Sequence, residues 1–147
     1  MTLIDTGLDT DPLTLEPMWR VTFHAPPPDI DRIFDAICAV TGLEHGRTDR
    51  NGFRMPGGWE YYRPRAGTPT GAEEAVRKRP DVDAMTVFVP RDEAILTAVT
   101  DAIYRTHSYY EPVIIIDAVL RSTTKGLDDS DNPHRWWNTT GDWKPDA

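Results

Sequence analysis

From Trp19 to His24 apolar and polar side chains alternate: Trp19, Val21 and Phe23 fall on one side, Arg20, Thr22 and His24 on the other. A period of two predicts a half-buried strand, and Pro26-Pro27-Pro28 ends it, because proline brings no donor to a ladder. The period then lengthens. Ile30, Ile33, Phe34, Ile37 and Val40 recur at helical spacing and form one apolar stripe. Asp29 stands where a capping carboxylate belongs, and Gly42 where a C-terminal glycine belongs. Gly58-Trp-Glu-Tyr-Tyr-Arg63 reads as a second strand, closed by Pro64, and Val82 to Val89 as a third, with Met85, Val87 and Val89 alternating against Ala84, Thr86 and Phe88. The polar stretches 44–56 and 65–80 read as loops, the second with room for a helical turn through Glu73 to Lys78. Beyond Pro90, Ile95, Leu96, Val99, Ala102 and Ile103 supply the stripe of a second helix. Asp92 and Glu93 suit its positive end, Arg105 and His107 its negative one. Pro112 opens a fourth strand, Val113 to Leu120.

Strand, helix, strand, strand, helix, strand is the order of an α+β ferredoxin-like βαββαβ fold. Right-handed crossovers put both helices on one face of an antiparallel four-stranded sheet of order 4-1-3-2. Residues 18–121 make up this domain. Residues 1–17 read as an acidic N-terminal arm, and 122–147 as a tail whose Trp136, Trp137 and Trp143 dock on the domain or on a neighbouring subunit. The fourth strand is apolar on both faces through Val113 to Ile116, although the order makes it an edge with helices on one side only. That conflict predicts a homo-oligomer, with the open sheet face packed between subunits.

Composition narrows the setting. A formal net charge of −8 repels phosphate backbones, so no nucleic-acid partner is expected unless the cations segregate. They do crowd in sequence: Arg47, Arg50, Arg54, Arg63, Arg65, Arg77, Lys78 and Arg79 occupy the middle of the chain. No apolar run is long enough to span a membrane, and the acidic start lacks the features of a secretory signal. A lone Cys38 has no partner for an internal disulfide, which fits a cytoplasmic protein. Its place beside the apolar stripe predicts an inert thiol.

Three motifs in the predicted order carry a family resemblance. His107-Ser-Tyr-Tyr-Glu-Pro112, between the second helix and the fourth strand, resembles the His-Pro-Tyr-Glu-Glu-Pro signature of the small inserted domain of Nif-three-like proteins, and the related His-Pro-Tyr-x-x-Pro of CutA. Gly58-Trp-Glu-Tyr-Tyr-Arg-Pro64 is similar to the Gly-x-x-x-Phe-Arg-Pro strand of that domain, and Gly67-Thr-Pro-Thr-Gly71 to its Ala-Asn-Pro-x-x-Gly loop. The resemblance covers Trp19 to Leu120. It implies a ferredoxin-like domain that assembles as a homotrimer, with ligand pockets at subunit boundaries. It does not imply the dinuclear metal site of full-length Nif-three-like proteins, which belongs to flanking domains. The chain departs from the signature at Ser108, Tyr110 and Ile114-Ile115, and has Thr86 where an acidic residue is expected. Those changes leave a more apolar pocket.

His107 and Glu111 are the leading candidates for chemistry. At a helix-to-strand turn they can converge on a divalent metal or a small molecule, with Tyr109 or Tyr110 donating a hydrogen bond. The alternative is structural, with His107 bonding a loop carbonyl and Glu111 an arginine. His24 and His45 extend the set to a three-histidine metal site, though without characteristic ligand spacing. Trp136 and Trp137 are candidates to wall a ligand pocket. Three functions follow, of which a purely structural or assembly role, allowed by the unusual tails, is one. Another is a non-catalytic oligomeric binding protein, regulatory or accessory, holding a small molecule or metal ion near subunit interfaces. The third is a small enzyme using His107, Glu111 and Tyr109 as acid–base or orienting groups on an apolar substrate.

Overall fold

The structure is a computed structural model that describes residues 2–126 and 129–139. Its elements are α1 (Leu3–Thr6), β1 (Leu8–Asp9), β2 (Leu13–Ala25), α2 (Pro27–Cys38), β3 (Phe53–Tyr62), β4 (Arg77–Pro90), α3 (Glu93–Thr106) and β5 (Ile114–Thr124), followed by a 3-10 turn at Trp136–Asn138. The four main strands are antiparallel in the order β5-β2-β4-β3, which is the predicted 4-1-3-2 arrangement. The small strand β1 lies beside the N-terminal part of β2, pairing Leu8 with Leu15 and Asp9 with Thr14.

Alternation decides which side chains reach the core. Val21, Phe23 and Ala25 of β2 share a face with Met85, Val87 and Val89 of β4, and all six are buried. Ile30, Ile33 and Ile37 of α2 and Val99 and Ile103 of α3 close over them, so both helices cover one side of the sheet. The run of three prolines does not obstruct α2, since Pro27 and Pro28 occupy first-turn positions that have no intrahelical donor role. Asp92 caps α3, accepting the Ile95 N–H at 3.1 Å.

Several local expectations are corrected. β2 starts at Leu13, so the end of the supposed arm is sheet, and α1 and β1 organise the rest. Arg91 holds this segment in place. Its Nε donates to Met18 O (2.8 Å) and its Nη2 to Ile4 O (2.9 Å) and Val119 O (3.2 Å), while its guanidinium lies 4.6 Å from the Trp19 ring centroid. Helix α2 ends at Cys38, which leaves Val40 exposed, and Pro26 rather than Asp29 is its N-cap. The 73–78 stretch is not a helical turn. Arg77 already begins β4, although Glu73 and Arg77 do form an ion pair at helical spacing. β3 begins five residues before Gly58, at Phe53.

Among the described residues, Thr22, Thr86 and Phe88 on the far side of the sheet are only partly buried. The edge strand β3 exposes Phe53 (63%), Trp59 (62%) and Tyr61 (65%). On β5, Ile115, opposite Thr22, is exposed on the face away from the helices, while the exposed Ile116, opposite Val21, lies on the helix side. Trp136 and Trp137 meet edge to face with ring centroids 5.7 Å apart, and both stay partly exposed. Trp143 lies outside the described residues. Among the described residues, no helix is long and apolar enough to cross a membrane.

Candidate functional site at the helix-to-strand turn

The segment from His107 to Pro112 leaves α3 and runs into β5, and its side chains tie together three distant parts of the chain. The His107 N–H closes α3 on Ile103 O at 3.0 Å. Its imidazole Nδ1 accepts the backbone N–H of Tyr109 at 3.0 Å, so Nε2 carries the ring proton and donates to His24 O at 2.6 Å. Both ring nitrogens therefore have structural partners. Next to it, Ser108 donates its N–H (3.1 Å) and its hydroxyl to Asp29, which is buried in the first turn of α2 and also pairs with Arg32 at 2.8 Å. Burial alone would raise the Asp29 pKa. The Ser108 and Arg32 contacts outweigh it and hold the carboxyl below its ordinary value.

Tyr109 points the other way, onto the β3–β4 hairpin. Its ring lies 4.7 Å from that of His107, and the Arg79 guanidinium sits 5.3 Å from its centroid on the hairpin side. The phenol oxygen is buried with no partner within hydrogen-bond distance. Burial, reinforced by the Glu60 carboxylate, pushes its pKa up to about 12. Tyr62, on the same hairpin, is shifted down by the Arg77 guanidinium, whose Nη1 donates to the phenol oxygen at 3.4 Å. Glu60 and Arg79 are cross-strand partners. The turn and the hairpin thus meet in a cluster of two tyrosines, two arginines and a carboxylate.

A cavity of about 260 Å³ opens beside this cluster, lined by His24, Met55, Gly58, Trp59, Glu60 and Val82 among others. It lies where the β3–β4 pairing is irregular on both sides of Gly58, with an extra residue on β3 between Met55 and Gly58 and one on β4 between Val82 and Arg79, where Asp81 has φ 60°. A β-bulge bends its strand and re-aims the side chains that follow. A side chain at position 58 would not fit, since its Cβ would stand 2.6 Å from Val82 O.

The predicted site residues separate. His107 and Tyr109 are at the centre of the turn. Tyr110 is 67% exposed, and Glu111 is exposed with no hydrogen bond or ion pair among the described residues. Trp136 and Trp137 do not line the cavity. His45 is elsewhere, its Nε2 2.7 Å from Ser122 O. Among the described residues, no group of three or more His, Cys, Asp or Glu side chains is placed to hold a metal ion. Cys38 is partly buried, and burial pushes its thiol pKa up, away from nucleophilic character. The sequence reading missed Asp29 as the partner of Ser108, and Glu60 and Arg79 as neighbours of Tyr109. Pro56-Gly57-Gly58 inside an aromatic strand was the available signal for the bulge.

No protein-family model matches the chain, and no curated protein does. Among solved structures it is similar to a Bacillus cereus protein related to NIF3, with a TM-score of 0.60 and 16% identity over 75% of this chain and 28% of that one. The match therefore spans little more than a quarter of the Bacillus cereus protein. The chain is also similar to the divalent ion tolerance protein CutA1 from Ehrlichia chaffeensis (TM-score 0.51, 15% identity, 78% of this chain and 87% of that one). A third likeness is to CutA1 from Oryza sativa (0.50, 18%, 71% and 82%). The fold is thus the CutA-like and NIF3-like ferredoxin-type fold that the three motifs resembled.

Proposed function

We propose that the protein is a self-associating binding protein with regulatory or accessory function, whose small-molecule sites lie where the His107–Tyr109 turn, the β3–β4 hairpin and a second copy of the chain meet. The observation that carries this reading is the uncovered aromatic edge formed by Phe53, Trp59 and Tyr61. Large apolar rings left in water at that density mark an interaction surface. Charge separation favours a second copy as the partner. Residues 47–79 hold eight of the sixteen cationic side chains but four of the twenty-four carboxylates. The hairpin region is net positive and the rest of the chain strongly negative, which suits head-to-tail contact.

A similar protein named for divalent ion tolerance raises a metal ion as the alternative ligand. The His107 geometry favours a small molecule, because both imidazole nitrogens already have partners. In this reading the protein works in the cytoplasm.

Size-exclusion chromatography with light scattering tests the assembly. A species of at least two chains at micromolar concentration is expected, with a trimer the favoured state, and Tyr61→Lys should shift it to monomer. A monomeric parent protein would overturn the reading. Stoichiometric divalent metal surviving dialysis would replace the small molecule by a metal ion.

A further inference from the structure

The cavity at the β3 bulge combines three unlike walls. Trp59 offers a flat indole that is 62% exposed, and Met55, 60% exposed, lies near it. Val82 is buried and forms an apolar floor. The polar side chains lining it are His24, whose ring has no hydrogen-bond partner among the described residues, Asp83, which is buried and paired with Arg54, and Glu60, which has no ion pair among the described residues.

The neighbouring cations do not neutralise Glu60 directly. Arg54 is paired with the buried Asp83 through a 2.7 Å hydrogen bond. Arg77 is held by Glu73 and Tyr62. Arg79, opposite Glu60 across the strands, lies over the Tyr109 ring instead.

We propose that this cavity is a binding site for a small aromatic cation, a single planar ring bearing an amidinium or ammonium group. The ring stacks on Trp59, the charged group pairs with Glu60, and His24 supplies the remaining hydrogen bond. An indole face attracts cations as well as flat apolar groups, and a carboxylate lacking a cationic partner is the natural counter-ion. The volume, about 260 Å³, limits the ligand to one ring with a short polar head. The inference rests on the binding-protein reading and names the ligand class of that site.

Isothermal titration of the full chain with benzamidine, benzoate and benzyl alcohol tests it. Benzamidine should bind at least tenfold more tightly than either of the others. Glu60→Gln should weaken benzamidine at least tenfold, and Trp59→Leu should do the same by a route that leaves the charge in place. Both substitutions are made on an edge strand, and thermal melts matching the parent protein establish that each variant is folded. Benzoate binding as well as benzamidine would overturn the proposal by showing that Arg79 governs the site. So would benzamidine affinity that is unchanged in folded Glu60→Gln. A monomeric protein that binds benzamidine through Glu60 would sink the assembly reading and keep this one. An oligomer with no affinity for benzamidine would do the reverse.

Discussion

Asp29 accepts both the backbone N–H and the hydroxyl of Ser108, a residue seventy-nine positions later in the chain. The contact closes the fold at one end, joining the first turn of α2 to the turn that leads into β5. Arg32, at 2.8 Å, completes the pairing of the carboxylate.

The Asp29 pKa is lowered in the folded protein from a reference of 3.8. A carboxyl with a depressed folded pKa contributes stability that is fully present above its unfolded pKa and is lost as pH falls through the folded value. Asp29→Ala should therefore destabilise the protein at pH 7 by about 2 kcal/mol, the effect of leaving a buried donor unsatisfied. The difference from the parent should shrink below about pH 4. Urea denaturation at pH 7 and at pH 3 measures both. A gap of equal size at the two pH values would show that the charge on Asp29 is not what matters.

Arg91 performs a similar task at the opposite end. One planar guanidinium serves three carbonyls, on Met18, Ile4 and Val119, and stacks over Trp19. Lysine cannot reproduce that fork. Arg91→Lys and Arg91→Ala should both release the α1–β1 segment, costing about 2 kcal/mol. Hydrogen exchange followed by mass spectrometry should show faster uptake over residues 3–9 with α2 unchanged. Uniform acceleration across the chain would instead mean that Arg91 supports the whole core.

The imidazole of His107 gives the cleanest separation of a structural role from a metal-binding one. Its Nε2 and Nδ1 connect His24 O with the Tyr109 N–H. His107→Ala should lower stability by about 1–3 kcal/mol because two backbone groups lose their partner. The metal content of purified protein should be the same in the variant and its parent. A fall in bound divalent metal at unchanged stability would restore His107 as a ligand.

The strand and helix order was legible because Val21, Phe23, Val87 and Val89 alternate and Ile30, Ile33 and Ile37 recur at helical spacing, patterns that only burial of one face requires. The ends of elements were less legible. Leu13 to Pro17 belongs to β2 because β5 pairs with it as far as Leu13 and Thr124, a long-range contact that no local pattern encodes. Glu73 and Arg77 have helical spacing but pair across a bend at Glu74–Ala75, since β3 captures Arg77 opposite Tyr62 at the start of β4. The His107 motif marked the correct turn. What the motif could not convey was its partners, because Asp29, His24, Glu60 and Arg79 are brought there by tertiary packing.

Gly57 and Gly58 form the bulge for different physical reasons, and paired substitutions can tell them apart. Gly57 has φ +83° and no atom within 4 Å of the place a Cβ would take, so Gly57→Ala meets only backbone strain, costing about 1 kcal/mol. Gly58 faces Val82 O, and an alanine Cβ there would approach it to 2.6 Å. The strands must separate or the bulge must migrate, at a cost of about 1–3 kcal/mol. A shift of the bulge also re-aims Trp59 and Glu60, which follow it directly. Gly58→Ala should therefore remove affinity for benzamidine in a protein that still folds, whereas Gly57→Ala should keep most of it. Thermal melts paired with titration read the two effects separately. Equal losses of binding in both variants would show that the cavity depends on flexibility of the loop and not on the close approach at Val82.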